Sequence, residues 1–264
     1  MVSLLCTPDL RQFRLGLGRV TAPESIGEEL VRAVLSDLGE VLKDSPKTRV
    51  RRVGKLVVKE SRGLLPSRLA KHTFRKSRYR QAWRAAHHLL EHDVPTPKPI
   101  AFVEWGAMGI IAGNAMITEY LPGARNVEDF LRAMVQAGGA VDTLQQFLAD
   151  LARDINLLSL SGAYHPDLSG KNIFTQNGRK FYFIDLDAVE IGEGYSDEAR
   201  MRNHVQLYDS FCDELSDHLM VPFIESLLSP LHDPRVWMPE VRQKQRERRR
   251  LVEMRWEKEG KLGV

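Results

Sequence analysis

Cysteine is scarce in this chain, which has Cys6 and Cys212 among its 264 residues. Two cysteines provide neither a disulfide framework nor a cluster of metal ligands, so we expect a protein of the reducing cytosol. Long apolar runs are missing too: the longest, residues 101–117, contains Glu104, Asn114 and three glycines. That run is shorter than the roughly 20 residues of a membrane-spanning helix, and we interpret it as paired strands of the core.

We expect no signal peptide, because residues 1–13 have neither a basic region nor an extended apolar stretch. Charge of one sign is not in large excess, with a formal net charge of +3, and this balance says little about partners. A hydrophobic content of 43% and a charged content of 28% are typical of a soluble globular protein. We expect a cytoplasmic protein.

Acidic residues are absent from residues 61–90, while residues 62–84 contain eight lysines and arginines. One interpretation is a solvated helix face. The other is a surface that binds an anionic acceptor, such as a phosphorylated sugar lipid, or anionic lipid headgroups. Both interpretations stay open at this point.

The C-terminal tail, residues 242–259, mixes Arg and Lys with Glu at helical spacing. Leu251, Met254 and Trp256 are available for packing. We therefore predict a helix that docks on the protein through these residues, and we expect no nucleic-acid partner.

The remaining pattern predicts alternating strands and helices. We expect helices over residues 25–39, 67–92, 126–160 and 197–229, two strands around a polar turn within 41–60, a strand over 117–123, and short strands at 173–175 and 180–184. Asn177-Gly178 between the last two strands predicts a tight hairpin, because both residues tolerate positive φ.

Phosphoryl transfer requires a carboxylate that orients the acceptor hydroxyl and oxygen ligands for magnesium. The loop over residues 165–172, HPDLSGKN, has an Asp and an Asn five residues apart, which can supply both. We assign Asp167 to the acceptor and Asn172 to the metal. The hairpin then delivers Asp185, which can bridge Mg²⁺ and the phosphates of ATP.

These residues carry a resemblance. H-x-D-L-x-x-x-N, a hairpin and I-D-L-D resemble the catalytic segment of the protein-kinase-like superfamily. The segments HPDLSGKNIF and FYFIDLDAV resemble those of the lipopolysaccharide kinase family, which includes Kdo and heptose kinases of bacterial envelope synthesis. Upstream, KLVVKE resembles the strand with the nucleotide lysine, SRYRQAWRAAHHLLEHDVPTPKPIAF the third-helix region, and ITEYLPGA the hinge. The likeness covers roughly residues 40 to 215.

The resemblance implies an α+β, bilobal protein-kinase-like fold that binds ATP and Mg²⁺ between its lobes. We expect a strand-rich N-lobe over residues 1–121, a helical C-lobe over 122–240 and a basic helical tail over 241–264. The implied catalytic residues are Asp167, Asn172 and Asp185, the nucleotide-binding residues are Lys59, Glu119, Asn172 and Asp185, and the metal ligands are Asn172 and Asp185.

Individual assignments within this pattern have alternatives. Lys59 ends a Val-Val pair and is our nucleotide lysine, with Lys55 as the competitor on the same strand face. His165 is expected to pack and to hydrogen-bond the loop. Asp187 is either a second metal ligand or a capping acid.

The chain also departs from the superfamily pattern. No G-x-G-x-x-G precedes Lys59, and we expect a turn with basic side chains within residues 45–54 to cover the phosphates instead. The glutamate that normally pairs with the lysine is missing from the following helix, where Gln81 can hydrogen-bond Lys59 without neutralising it. Pro166 stands where regulated protein kinases have arginine, and no A-P-E follows, which favours a small-molecule or glycolipid kinase.

The resulting hypothesis is an ATP-dependent phosphotransferase that acts on a sugar hydroxyl of a lipopolysaccharide-like glycolipid. Its expected partners are ATP, an anionic sugar or glycolipid and an anionic membrane surface, at the inner face of the cytoplasmic membrane. Two alternatives are an antibiotic-type small-molecule phosphotransferase and a nucleotide-binding pseudokinase that acts as a scaffold.

Overall fold

The computed structural model describes residues 9–61, 78–107, 110–192 and 195–258. The chain divides into two compact units. The first runs to Gly123 and includes the later segment Phe183–Val189, while the second holds Ala124–Tyr182 and the chain from Glu190 onward. Each unit has buried hydrophobic side chains of its own.

The first unit is built around a sheet. Its elements are β1 (Leu10–Leu15), β2 (Gly18–Pro23), α1 (Glu28–Ser36), β3 (Glu40–Asp44), β4 (Thr48–Val53), β5 (Leu56–Ser61), α2 (Arg78–Glu91), β6 (Pro99–Ala107) and β7 (Ile110–Glu119). Within the described residues, seven strands form one antiparallel sheet in the order β1-β2-β6-β7-β5-β4-β3. The predicted pairing of strands within residues 101–117 is confirmed as β6 and β7.

The core of this unit lies where α1 covers the sheet. Val58 of β5 and Val103 of β6 are fully buried, as is Val31 of the helix. Val58 is the one fully buried residue of β5, whereas Val103 lies in a stretch of β6, residues 101–104, that is buried throughout. Burial of such side chains is the main stabilising contribution to the unit.

Residues 41–60 form parts of three strands, where the sequence predicted two. The first turn is closed by the Ser45 N–H, which donates to the Thr48 carbonyl at 3.0 Å. The second turn passes through Gly54, whose φ of +58° favours glycine. The sequence interpretation placed a hairpin edge beside Gly54 but counted one turn in this stretch, where the structure has two.

Arg51 of β4 is buried and caps the end of α1. Its guanidinium donates to the carbonyls of Val34 and Leu35 at 3.0 Å each, and to that of Asp37. Carbonyls in the last turn of a helix lack intrahelical partners, so this arginine satisfies them. One of the basic residues expected to cover nucleotide phosphates is therefore engaged inside the unit.

The helix predicted over residues 67–92 is helical in its described part, α2. The remainder of that prediction, and most of the basic segment over residues 62–84, lies outside the described residues. In the described part, Arg78 and Arg84 are exposed, whereas Arg80 forms an ion pair with the buried Glu104 at 2.5 Å.

The second unit is mainly helical. Its elements are β8 (Arg125–Asn126), α3 (Val127–Gln136), α4 (Val141–Leu160), β9 (Ala163–Tyr164), β10 (Ile173–Thr175), β11 (Phe181–Phe183), β12 (Glu190–Ile191), α5 (Asp197–Phe211), α6 (Asp217–Glu225) and α7 (Pro234–Lys258). The single helix predicted over residues 126–160 is two helices, because Gly138, with φ +71°, and Gly139 interrupt it. The strand-rich first unit and helical second unit confirm the predicted α+β class.

The tail forms the second half of α7, and this helix docks on the second unit as predicted. Trp237 and Val241 are buried, and Arg249 forms ion pairs with Asp209 and Asp213 of the segment around the end of α5. The prediction that Leu251, Met254 and Trp256 make the contact is wrong, since these three side chains are exposed. Docking comes instead from the buried Trp237 and Val241 in the first half of the helix and from the ion pairs of Arg249 in the second half. Among the described residues, no helix combines the length and apolar character needed to cross a bilayer.

Candidate active site

The loop over residues 165–172 is anchored by its first residue. His165 is 1% exposed, and its Nδ1 lies 3.2 Å from the backbone nitrogen of Asp167, whose N–H it accepts. Leu168 is fully buried on the same loop. The expectation that His165 packs and hydrogen-bonds the loop is confirmed.

Asp167 and Asn172, five residues apart in this loop, are in direct contact. The Asn172 Nδ2 donates to the backbone carbonyl and to the Oδ2 of Asp167, each at 2.9 Å. A 3-10 turn over Gly170–Asn172 brings the two residues together, and the Asn172 N–H donates to the Ser169 carbonyl at 2.9 Å. The Asp167 carboxylate is exposed and oriented, as required of a group that accepts a hydroxyl proton.

Helix α5 supports the loop from below through two polar side chains that the sequence analysis missed. The Gln206 Oε1 accepts the Leu168 N–H and its Nε2 donates to the Pro166 carbonyl, both at 2.8 Å. The Ser210 Oγ accepts the Gly170 N–H at 2.9 Å. These residues lie about 40 positions further along the chain and carry no motif, so no sequence signal pointed to them.

Gly170 is required by the close packing of this loop. A Cβ at this position would lie 2.6 Å from the Glu128 Cγ and 3.1 Å from the Phe211 Cε1. Both distances are shorter than ordinary carbon–carbon contacts, so a larger residue would displace the loop from α3 or α5.

The hairpin that follows the loop is held by a buried acid. The Oδ2 of Asp154, which is 3% exposed on α4, accepts the Phe181 N–H at 3.0 Å. Gly178 has φ +73°, as the Asn-Gly signal predicted, but Asn177 does not have positive φ. The connection is consequently longer than a two-residue tight turn, with Thr175 and Phe181 at its edges.

In the first unit, the segment Phe183–Val189 is attached to the proline-rich stretch after α2. The Phe183 N–H donates to the Pro95 carbonyl at 3.0 Å, and the Thr96 Oγ1 donates to the Phe183 carbonyl at 2.8 Å. This double attachment fixes the backbone two residues before Asp185.

Asp185 has a left-handed backbone conformation, with φ +61° and ψ +47°. Non-glycine residues in this region cost on the order of 1–3 kcal/mol, and Asp and Asn tolerate it best. Its side chain is 48% exposed. A 3-10 turn over Leu186–Ala188 begins directly after it and presents Asp187. Such strain is typical of functional sites, where the side-chain direction matters more than backbone preference.

Lys59 forms ion pairs with both of these acids. Its Nζ lies 2.5 Å from the Asp185 Oδ1 and 2.8 Å from the Asp187 Oδ2. Burial lowers the pKa of Lys59, but Asp187 and Asp185 outweigh this effect and raise it. Burial raises the pKa of Asp187, while the Lys59 ammonium opposes that rise. Lys55 is exposed in the turn before β5, so the geometry favours Lys59 over its competitor.

Gln81 does not contact Lys59, and that prediction is wrong. Its Nε2 donates instead to the Val189 carbonyl at 2.8 Å. Asp187, for which two roles were left open, makes a contact that was not considered, the ion pair with Lys59. The two residues are 128 positions apart, and nothing in their local sequence signals the pairing.

Glu119 lies exposed at the end of β7, where its N–H donates to the Lys98 carbonyl at 2.9 Å. The ring of Tyr120, the next residue, is covered by the Arg52 guanidinium at 4.2 Å. Arg52 is thus a second basic residue of the expected phosphate-covering turn that is already engaged, in a cation–π contact.

The implied magnesium ion can be tested against its two candidate ligands. Asp185 offers an exposed carboxylate, and the Oδ1 of Asn172 receives no donor from the described residues because Nδ2 makes the hydrogen bonds. Each of the two side chains, taken by itself, offers an oxygen of the kind that Mg²⁺ prefers. The described residues contain no group of three or more His, Cys, Asp and Glu side chains that could hold a metal.

In comparisons with known proteins, the chain matches the sequence model of a protein family. The sequence model of the lipopolysaccharide kinase (Kdo/WaaP) family matches residues 43–223. No curated protein matches the chain. Among solved structures, WaaP in complex with acyl carrier protein is similar at a TM-score of 0.65 and 19% identity, over 84% of this chain and 97% of that one. This likeness shows the same fold.

Two structures of WbdD also align with the chain. One has 17% identity and a TM-score of 0.48, over 77% of this chain and 45% of that one. The other, described as the bifunctional kinase-methyltransferase, has 17% identity and a TM-score of 0.46, over 75% and 47%. The chain therefore spans less than half the length of WbdD.

Proposed function

We propose, since the chain belongs to the lipopolysaccharide kinase (Kdo/WaaP) family and is therefore a kinase, that it phosphorylates a sugar hydroxyl of a lipopolysaccharide-like glycolipid with ATP. The observation that carries the proposal is the Asp167 carboxylate, exposed and held by the Asn172 amide. A fixed carboxylate of this kind can orient a hydroxyl and receive its proton as the phosphoryl group arrives.

The other residues act on the nucleotide. Lys59 would bind the phosphates, because its ammonium is partly shielded and kept charged by two carboxylates. Asn172 and Asp185 would hold Mg²⁺, which neutralises phosphate charge when bound. Glu119 would contact the nucleotide from the end of β7. Catalysis by such a set consists of positioning and electrostatic stabilisation.

The acceptor would be anionic and reached at an anionic membrane surface. Arg78 and Arg84 are exposed on α2, in the part of the basic segment that the structure describes. At the end of α7, three exposed apolar side chains stand among three exposed basic residues and two exposed acids; they are Leu251, Met254 and Trp256, with Arg250, Arg255 and Lys258, and Glu253 and Glu257. A helix end of this composition suits the interface of an anionic bilayer.

An acceptor panel tests the reaction. The full chain would be given ATP and Mg²⁺ with a lipopolysaccharide-like glycolipid, a soluble sugar and an aminoglycoside. We expect phosphate transfer to the glycolipid, and none with Asp185→Asn, which loses one metal-ligand charge. Transfer to a soluble acceptor alone would instead make the protein a small-molecule phosphotransferase. ATP binding without any turnover would make it a pseudokinase.

Vesicle sedimentation at low salt tests the membrane contact. A variant with Leu251, Met254 and Trp256 changed to Ser should bind vesicles of anionic lipid more weakly than the unchanged chain. Leu160→Ser is the matched control, because Leu160 is 83% exposed on a different helix. Equal loss of binding in both variants, or in neither, would remove α7 as the contact.

A second variant, Arg78→Ser with Arg84→Ser, tests α2. Each basic residue near an anionic surface contributes about 1 kcal/mol, so vesicle binding should weaken and the difference should shrink with added salt. Arg80 is left unchanged, because its loss would leave the buried Glu104 without this ion-pair partner. Unchanged vesicle binding with weaker ATP binding would assign these arginines to the nucleotide.

A further inference from the structure

We propose that Asp187 is the positioning residue for the nucleotide lysine, taking the place of the helix glutamate that this chain lacks. The inference rests on the proposed function, in which Lys59 binds the phosphates of ATP. It assigns to Asp187 a role that is neither metal ligation nor helix capping.

The two carboxylates that contact Lys59 differ in how far they are shielded from solvent. The Asp187 side chain is 22% exposed and that of Lys59 is 24% exposed, whereas Asp185 is 48% exposed. An ion pair is screened less when both partners are shielded. The ion pair of Asp187 with the ammonium is therefore the less screened of the two, although the Asp185 oxygen lies closer, at 2.5 Å against 2.8 Å.

The backbone of Asp187 is held on both sides. Leu186 and Val189 are buried, and the Val189 N–H donates to the Leu186 carbonyl at 3.1 Å, which closes the 3-10 turn. The Gln81 Nε2 then donates to the Val189 carbonyl at 2.8 Å. Two buried residues and two hydrogen bonds thus fix the direction in which the Asp187 carboxylate points.

Helix α2 consequently acts on Lys59 indirectly, through the turn that holds Asp187. In the superfamily pattern, a glutamate of this helix would reach Lys59 directly. Here Gln81 of α2 holds the turn, and the turn presents Asp187 to Lys59. The lysine is placed by an acid of the same unit, so the absence of acids from residues 61–90 does not leave it without a counter-charge.

A double-mutant cycle on nucleotide binding tests the proposal. The dissociation constant of ATP would be measured by calorimetry in EDTA, where no metal contributes, for Lys59→Ala, Asp187→Asn and the double variant. Asp187→Asn should weaken binding roughly tenfold, the lower range for a hydrogen bond to a charged group. The double variant should bind no more weakly than Lys59→Ala, because Asp187 acts through Lys59.

Controls separate positioning from a general loss of structure. Asp187→Glu, which keeps the charge, should restore part of the affinity, and Gln81→Leu should show a smaller defect of the same kind. Asp142→Asn, at an exposed acid of α4, should leave binding unchanged. All variants would be compared by thermal unfolding, and Asp187→Ala would replace Asp187→Asn in the cycle if the latter unfolds.

Three results would overturn the proposal. Additive losses in the double variant would show that Asp187 acts independently of Lys59. An unchanged affinity of Asp187→Asn in EDTA, with a shifted Mg²⁺ dependence of turnover, would make Asp187 a metal ligand while the proposed function stands. Unchanged ATP binding by Lys59→Ala would instead contradict the lysine assignment in the proposed function, and the inference would fall with it.

Discussion

The Asn172 amide donates to both the carbonyl and the carboxylate of Asp167, each at 2.9 Å. This pair of bonds removes rotational freedom from the acid before any substrate binds. Preorganised orientation of this kind is a principal source of rate enhancement in transfer reactions. The acid and the amide on one loop are therefore best treated as a unit when variants are designed.

Asp167→Asn should spare nucleotide binding and reduce phosphoryl transfer by roughly 10²–10⁴-fold, the contribution of a positioned acid–base group. The amide cannot accept the hydroxyl proton, although it has nearly the same shape. Turnover and ATP affinity would be measured side by side on a verified acceptor. A wild-type rate for this variant would remove Asp167 from the mechanism.

Lys59→Ala should weaken ATP affinity or turnover more than Lys55→Ala does. Lys59 is shielded and paired with two carboxylates, whereas Lys55 stands exposed in a turn. Lys55→Ala serves as the matched control, because the two lysines are four residues apart on the same stretch of chain. The reverse order of effects would move the nucleotide lysine to position 55.

Gln206→Leu should destabilise the protein by about 1–3 kcal/mol. It should also reduce kcat, with a smaller change in the KM for ATP. It leaves the Leu168 N–H and the Pro166 carbonyl without their partner, and unpaired buried groups carry this cost. Urea unfolding and steady-state kinetics would measure the two effects. The control is Gln243→Leu on α7, an exposed residue whose Nε2 contacts Glu247. Equal effects from the two substitutions would argue against support of the loop by Gln206.

His204 on α5 should make the protein less stable in acid. Burial lowers its pKa to about 3, with Arg200 and His232 adding to the effect. The unfolded chain takes up a proton near pH 6.5 that the folded chain refuses, so stability is lost as pH falls from about 6.5 towards about 3. The loss at pH 5 is about 2 kcal/mol relative to neutral pH.

His204→Asn isolates this contribution. An Asn oxygen can replace the Nδ1 that accepts the Trp237 Nε1–H at 2.9 Å, but it does not titrate. The variant is expected to be less stable overall, because the ring is lost, and to show a shallower fall of unfolding free energy between pH 7 and 5. Parallel pH profiles for the two proteins would assign the acid sensitivity to other groups.

The sequence predicted the loop over residues 165–172 well because its signal is contiguous. Spacing alone places Asp167 and Asn172 on one tight turn, and the structure brings them into contact. The same holds for the strands of residues 101–117, where the length and composition of the apolar run decide the outcome. Local patterns thus account for the α+β class and for this part of the candidate site.

Long-range contacts account for what was missed. Gln81 was expected to reach Lys59 because both were identified from local motifs, but the carbonyl of Val189 competes for its amide. The pairing of Asp187 with Lys59 and the support of the loop by Gln206 depend on tertiary packing. The engagement of Arg51 at the end of α1 is of the same kind, since a basic residue in a strand carries no signal of the helix it caps.

The first unit is built from two separate stretches of chain, so it cannot be completed during translation until the second stretch has been synthesised. Lys59 emerges 126 residues before Asp185, which at about 5–20 residues per second is roughly 6–25 s of translation. During that interval Lys59 and the Gln81 amide lack the partners that the segment Phe183–Val189 supplies in the complete chain. A polypeptide that stops at Gly123 would lack this segment permanently, so the complete first unit cannot be obtained by truncation there.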